Sequence, residues 1–185
     1  MRFASLLMYL TISGVTGFAQ NAGSSALTFG VGGAFPANGF RVAQFHNGPA
    51  FNADYELRAH KYFSVNVGAD NYVLNFNNSG RMGRRESLER VTVLPFGLRG
   101  ILPLQDSRVE LFGGGGAAYV WSSASDFHCC GGESWLWQVN AGARVSLDPE
   151  KRFFVGTTAK YFQDWGRPTQ QWSSWTADFG FRYGR

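Results

Sequence analysis

The stretch from Trp135 to Leu147 constrains the fold more than any other part of the chain. Its odd positions, Trp135, Trp137, Val139, Ala141, Ala143, Val145 and Leu147, are all apolar. Its even positions, Leu136, Gln138, Asn140, Gly142, Arg144 and Ser146, are mostly polar or tiny. A period of two sustained this long is a strand with one greasy and one wet face. The length matches the roughly 9–11 residues that cross a bilayer at a barrel's tilt. Asp148-Pro149 then ends it.

The same pattern recurs along the chain. Leu27, Phe29, Val31 and Phe35 share a face in a first strand, and Phe51, Ala53, Tyr55, Leu57 and Ala59 in a second, against Asn52, Asp54, Glu56 and Arg58. In the third, Phe63, Val65, Val67 and Ala69 alternate with Ser64, Asn66, Gly68 and Asp70. Tyr72, Leu74 and Phe76 then carry the apolar set, which predicts a bulge near Asp70-Asn71. A fourth strand, about Arg90 to Leu102, places Leu94, Phe96, Leu98 and Leu102 outward and carries an irregularity at Pro95, with a turn at Pro103–Asp106. A fifth runs from Arg108 to Trp121, and the opening stretch is the sixth. The seventh presents Phe153, Val155, Thr157, Ala159 and Tyr161, and the eighth, Ser174 to Tyr183, presents Trp175, Ala177, Phe179, Phe181 and Tyr183. The connections alternate, short after strands two, four and six and long after one, three, five and seven. The expected fold is all-β: an eight-stranded antiparallel up-and-down transmembrane β-barrel with short periplasmic turns and four longer external loops.

Alternation alone does not say which face meets lipid, because a soluble barrel alternates too. The charges decide. Asp54, Glu56, Arg58, Asp70, Arg99, Glu110, Arg144, Lys160, Asp178 and Arg182 all share the face that carries the glycines. The opposite face is nearly free of ionisable groups in mid-strand, which lipid requires and water does not tolerate. These ten residues are expected to form a paired network inside the barrel, since a buried charge without its partner costs roughly 3–5 kcal/mol. An eight-stranded interior has room only for side chains, so the lumen is expected to be filled and polar.

On these strands the chain resembles the small eight-stranded outer-membrane barrels of the OmpA/OmpX/OmpW type. Members of that family end in alternating aromatics read by the barrel-assembly machinery; Phe179, Phe181 and Tyr183 match, with Gly184-Arg185 extending two residues beyond. The resemblance implies a structural or surface-interaction role through the external loops, without catalysis or cofactor. The OmpW manner, passage of small apolar molecules, is the alternative, and hydrolysis of outer-membrane lipid a third. The deacylase barrels use His-x-Ser, whereas the histidines here read His46-Asn47-Gly48, His60-Lys61-Tyr62 and His128-Cys129-Cys130.

The front of the chain fits this address. Arg2, the apolar run Leu6 to Ile12 and Gly17-Phe18-Ala19 read as a cleaved signal peptide over residues 1–19, with the barrel domain at 20–185. Removing Arg2 leaves 16 basic against 13 acidic residues, a mild balance that does not call for nucleic acid. The expected location is the outer membrane of a Gram-negative-type bacterium, as a monomer among outer-membrane lipid and lipopolysaccharide.

Three further groups could carry interactions. All six Trp lie in the second half, at 121, 135, 137, 165, 172 and 175. Most suit an interfacial girdle, while Trp165 and Trp172 are placed in the last external loop as an aromatic platform for a surface ligand. Arg81, Arg84 and Arg85 form a basic loop suited to lipopolysaccharide phosphates. Cys129 and Cys130 are adjacent and exported, which favours a bridge between them. Metal binding with His128 lacks a fourth ligand of recognised spacing.

Overall fold

The computed structural model describes residues 24–36, 44–78, 85–104, 108–122, 133–165 and 171–184. Eight strands form a closed antiparallel barrel. They are β1 (Ser25–Pro36), β2 (a short segment Gln44–His46 continuing as Gly48–His60), β3 (Phe63–Asn78), β4 (Arg85–Leu104), β5 (Val109–Ser122), β6 (Glu133–Ser146), β7 (Phe153–Asp164) and β8 (Gln171–Tyr183). Each pairs with its sequence neighbour, and β1 closes the ring on β8, with Phe29 opposite Phe179. Closure removes both sheet edges, which would otherwise present unpaired backbone groups. Residues 1–19, Arg81, Arg84, Cys129 and Cys130 lie outside the described residues, and Arg85 enters only by its backbone.

The alternation read from the sequence sorts the side chains. Phe29, Val31, Leu94, Val139 and Phe179 are exposed on the outer surface, while their neighbours along each strand turn inward. Pro95 interrupts the β3–β4 ladder: Val67 pairs with Phe96 and Asp70 with Val93, whereas Gly68 and Ala69 drop out opposite Pro95 and Leu94. A proline has no amide to donate there. The register on either side is unchanged, so the break is local.

The expected bulge near Asp70-Asn71 is absent. Asn52 faces Asp70, Phe51 faces Asn71 and Ala50 faces Tyr72 without a skip. The phase therefore continues, and Tyr72 and Leu74 point into the barrel beside Asp70 rather than outward. This hairpin has two irregularities elsewhere, both in β2: Phe45 faces Phe76 but Ala50 faces Tyr72, a shift of one residue across Asn47, and Arg58 faces Ser64 but His60 faces Phe63, a shift of one beside the turn. Pro103 and Leu104, expected in a turn, are the last residues of β4.

At the end of the barrel that carries the tight turns, β6 passes to β7 through Asp148–Lys151. The Asp148 carboxylate accepts the Phe153 amide at 2.7 Å and the Arg152 amide at 3.1 Å. Those amides hold its carboxyl below the ordinary range. Lys151 closes the turn with its amide on the Asp148 carbonyl and a φ of 59°. A left-handed backbone costs a residue with a Cβ roughly 1–2 kcal/mol, because the Cβ crowds the following carbonyl oxygen.

Candidate functional site: the barrel interior

Because β-strands alternate, eight strands deliver their inward residues as stacked tiers. Nearest the tight turns, guanidiniums dominate. Glu110, only 1% exposed, receives Arg58 through two nitrogens at 2.9 and 3.0 Å, Arg144 Nε at 2.6 Å and Arg182 Nη2 at 2.8 Å. Glu56 takes a two-pronged pair from Arg144 at 2.8 and 3.1 Å, and also faces Arg58 and Arg99, each at 3.6 Å. Planar forks against carboxylates are the geometry in which arginine is strongest.

Two phenyl rings sit among these charges. Arg99 and Arg144 lie over Phe112, and Arg144 and Arg182 over Phe154, at 5.0–5.8 Å from the ring centres. The rings fit because the residue paired with each on the neighbouring strand is a glycine, Gly142 beside Phe112 and Gly180 beside Phe154. A Cβ at Gly142 would meet the Phe112 ring at 2.4 Å, and one at Gly180 the Phe154 ring at 2.2 Å.

The second tier reverses the sign. Lys160 reaches Asp54 at 3.1 Å and Asp70 at 2.7 Å, and Arg99 joins from below, 3.4 Å from Asp54. Asp178 is held by the hydroxyls of Thr158 and Thr176 rather than by a cation. All ten charged residues singled out in the sequence stand on the inner wall. A cavity of only about 10 Å³ lies between the two tiers, lined by Thr28, Arg144, Thr158 and Asp178 among others. That volume is near the minimum for one water molecule. The polar filling is uneven: Ser64 Oγ and both side-chain polar atoms of Asn66 are buried on the β3 wall without a protein partner.

The third tier, toward the opposite end, corrects the expectation of a wholly polar lumen. Tyr72, Leu74, Val91, Val93, Leu136 and Phe162 pack with Trp172 into an apolar cluster inside the barrel. Trp172 lies in β8, not in a loop, and is only 9% exposed. It stacks on Phe162 at 5.3 Å and meets the edge of Tyr72 at 6.2 Å. Trp165 is exposed outside, so the two do not share a platform. Trp121, Trp135 and Trp175 stand on the outer surface. The missed signal was phase: Leu136, Phe162 and Trp172 are apolar residues in the inward register of their strands.

Tyr72 joins the tiers, donating its hydroxyl to Asp70 at 3.0 Å beside Ser174 Oγ at 3.3 Å. Tyr72→Phe is expected to destabilise the barrel by roughly 1.5–3 kcal/mol, the range for a hydrogen bond to a charged group. The check is the urea midpoint of unfolding from lipid vesicles, which should fall at unchanged slope.

No protein-family model matches the sequence, and no curated protein matches it. Solved structures do. OprG of Pseudomonas aeruginosa superposes with a TM-score of 0.65, covering 91% of this chain and 99% of its own at 13% identity. Ail, the attachment invasion locus protein of Yersinia pestis, solved with the heparin analogue sucrose octasulfate, gives 0.58 over 88% and 99% at 15% identity. Neisserial surface protein A gives 0.58 over 87% and 99% at 12% identity. At such identities the likeness is one of fold. The chain has the fold of the small eight-stranded outer-membrane β-barrels.

Proposed function

We propose that this barrel is exported by a cleaved segment at residues 1–19 and inserts as a monomer in the outer membrane of a Gram-negative-type bacterium. Its partners are the barrel-assembly machinery on the way in, and lipid and lipopolysaccharide once there. Its work is non-catalytic: it is a plugged post that presents the segments between strands at the end opposite the tight turns to the cell exterior. One observation carries the reading. Among the described residues, charged side chains are gathered on the inner wall into an ion-paired stack, while the outer wall in mid-strand is chiefly apolar. That sorting suits lipid outside and a plug inside.

The apolar tier supports a second reading, in which small apolar molecules enter from the exterior as far as Tyr72 and Trp172. Reconstitution separates the two. A plug is expected to give no conductance steps in planar bilayers and no uptake of a small apolar dye by proteoliposomes above the protein-free rate. Steady conductance would overturn the plug, and dye uptake without conductance would favour apolar passage.

A further inference from the structure

The charges inside the barrel balance in number but not in place. Toward the tight turns, Arg58, Arg99, Arg144 and Arg182 surround Glu56 and Glu110, and Arg99 also reaches up to Asp54. Farther in, Lys160 stands among Asp54, Asp70 and Asp178, with Arg99 reaching Asp54 from the first group. The first group carries an excess of two positive charges and the second the matching negative excess. The positive side ends at a rim cavity of about 740 Å³ whose walls include Glu150, Lys151, Arg152, Arg182 and Tyr183. Three cations there face one carboxylate.

Each wall cation is held in place. Arg152 meets Glu150 at 2.7 Å. Arg182 gives Nη2 to buried Glu110 at 2.8 Å, yet its side chain keeps 11% exposure, so it links the internal network to the cavity. Lys151 is set into the wall by its left-handed backbone, a conformation that glycine holds without strain.

We propose that this rim cavity is an anion site for a phosphate-bearing group, the headgroup of an acidic phospholipid being the source its position favours. Guanidinium forks and an ammonium group are well matched to phosphate oxygens. The cavity is far larger than a bare phosphate needs. Phe153 and Tyr183 are exposed on the outer surface beside it, and aromatic side chains settle at the level of lipid headgroups. The site goes beyond the plugged-post role and rests on the membrane reading only for the source of the phosphate.

The test is native mass spectrometry of the folded protein in detergent, titrated separately with phosphatidylglycerol, phosphatidylcholine and inorganic phosphate. Insertion into vesicles is measured in parallel, so failure of the membrane reading registers separately. The wild type is expected to retain phosphatidylglycerol over phosphatidylcholine. Lys151→Gly with Arg152→Gln should cut that retention at least tenfold; glycine suits the turn, so folding is not at stake. Lys61→Gln with Arg108→Gln removes the same charge from exposed positions at the same end and outside the cavity wall, and should change retention less than twofold. Binding of inorganic phosphate, lost in the first double variant, without a phosphatidylglycerol preference would keep the site and make free phosphate its source. Equal losses in both double variants, or no binding of either phosphate probe, would overturn it.

Discussion

Glu110→Gln is expected to destabilise the barrel by roughly 3–5 kcal/mol, the range for removing one partner from a buried ion pair. The carboxylate is buried and gathers Arg58, Arg144 and Arg182 within 3.0 Å. Glutamine keeps the volume but removes the charge, leaving Arg58, Arg144 and Arg182 with Glu56 as the carboxylate of that tier, which Arg99 also faces. A folded domain is stable by only about 5–15 kcal/mol, so the loss is a large part of the total. The measurement is the urea midpoint in lipid vesicles, with the double variant Glu110→Gln, Arg182→Gln as the internal control. Removing the stranded cation should recover part of the loss, since residues in one network are not additive. A double variant as unstable as the sum of its singles would show that the tier is not coupled.

The second large effect concerns the outer wall. Val139, 47% exposed in the middle of β6, should penalise arginine by roughly 2–4 kcal/mol in a bilayer, the midplane value for lipid-facing positions. Leu147, just past the end of the same strand and exposed on the same face, should accept arginine for about 0–1 kcal/mol, the value near the interface. The contrast matters more than either number. In water both residues would be exposed surface positions, where substitutions usually change stability by less than about 0.5 kcal/mol. Refolding yield and urea midpoint for Val139→Arg and Leu147→Arg, compared in one lipid, read the depth profile directly.

Much of this architecture was legible because period-two alternation and charge placement carry the same message. Arg144 between Ala143 and Val145, or Lys160 between Ala159 and Tyr161, can face only one way if lipid lies outside. The strand count, the inward set of ten charges and the outward set around Val139 follow from that. The reading failed where the interior stops being polar. At Tyr72 and Leu74, apolar character was equated with the lipid face, which required a bulge that the β2–β3 register does not contain. The unbroken phase from Asp70 was the better guide, because a register slip flips every later side chain and is the more drastic assumption. Trp172 failed for the same reason. A tryptophan beyond the apparent strand was read as loop, while β8 begins at Gln171, before the expected Ser174, and turns the ring inward onto Phe162. The partners inside the lumen were not legible at all. That Glu110 gathers Arg58 and Arg182 across the lumen depends on strands 52 and 72 residues away in the chain, which alternation along one strand does not reveal.

The central claim is that the chiefly apolar outer wall faces lipid. Ala141, Ala159 and Ala177 are small, exposed outward residues on β6, β7 and β8. Each can carry a single nitroxide, attached through cysteine in a chain with Cys129 and Cys130 replaced by serine. In phospholipid bilayers, all three labels are expected to collide readily with oxygen, which concentrates in hydrocarbon, and rarely with a water-soluble nickel chelate. Ready collision with the chelate at these three sites would place the wall in water and contradict the account.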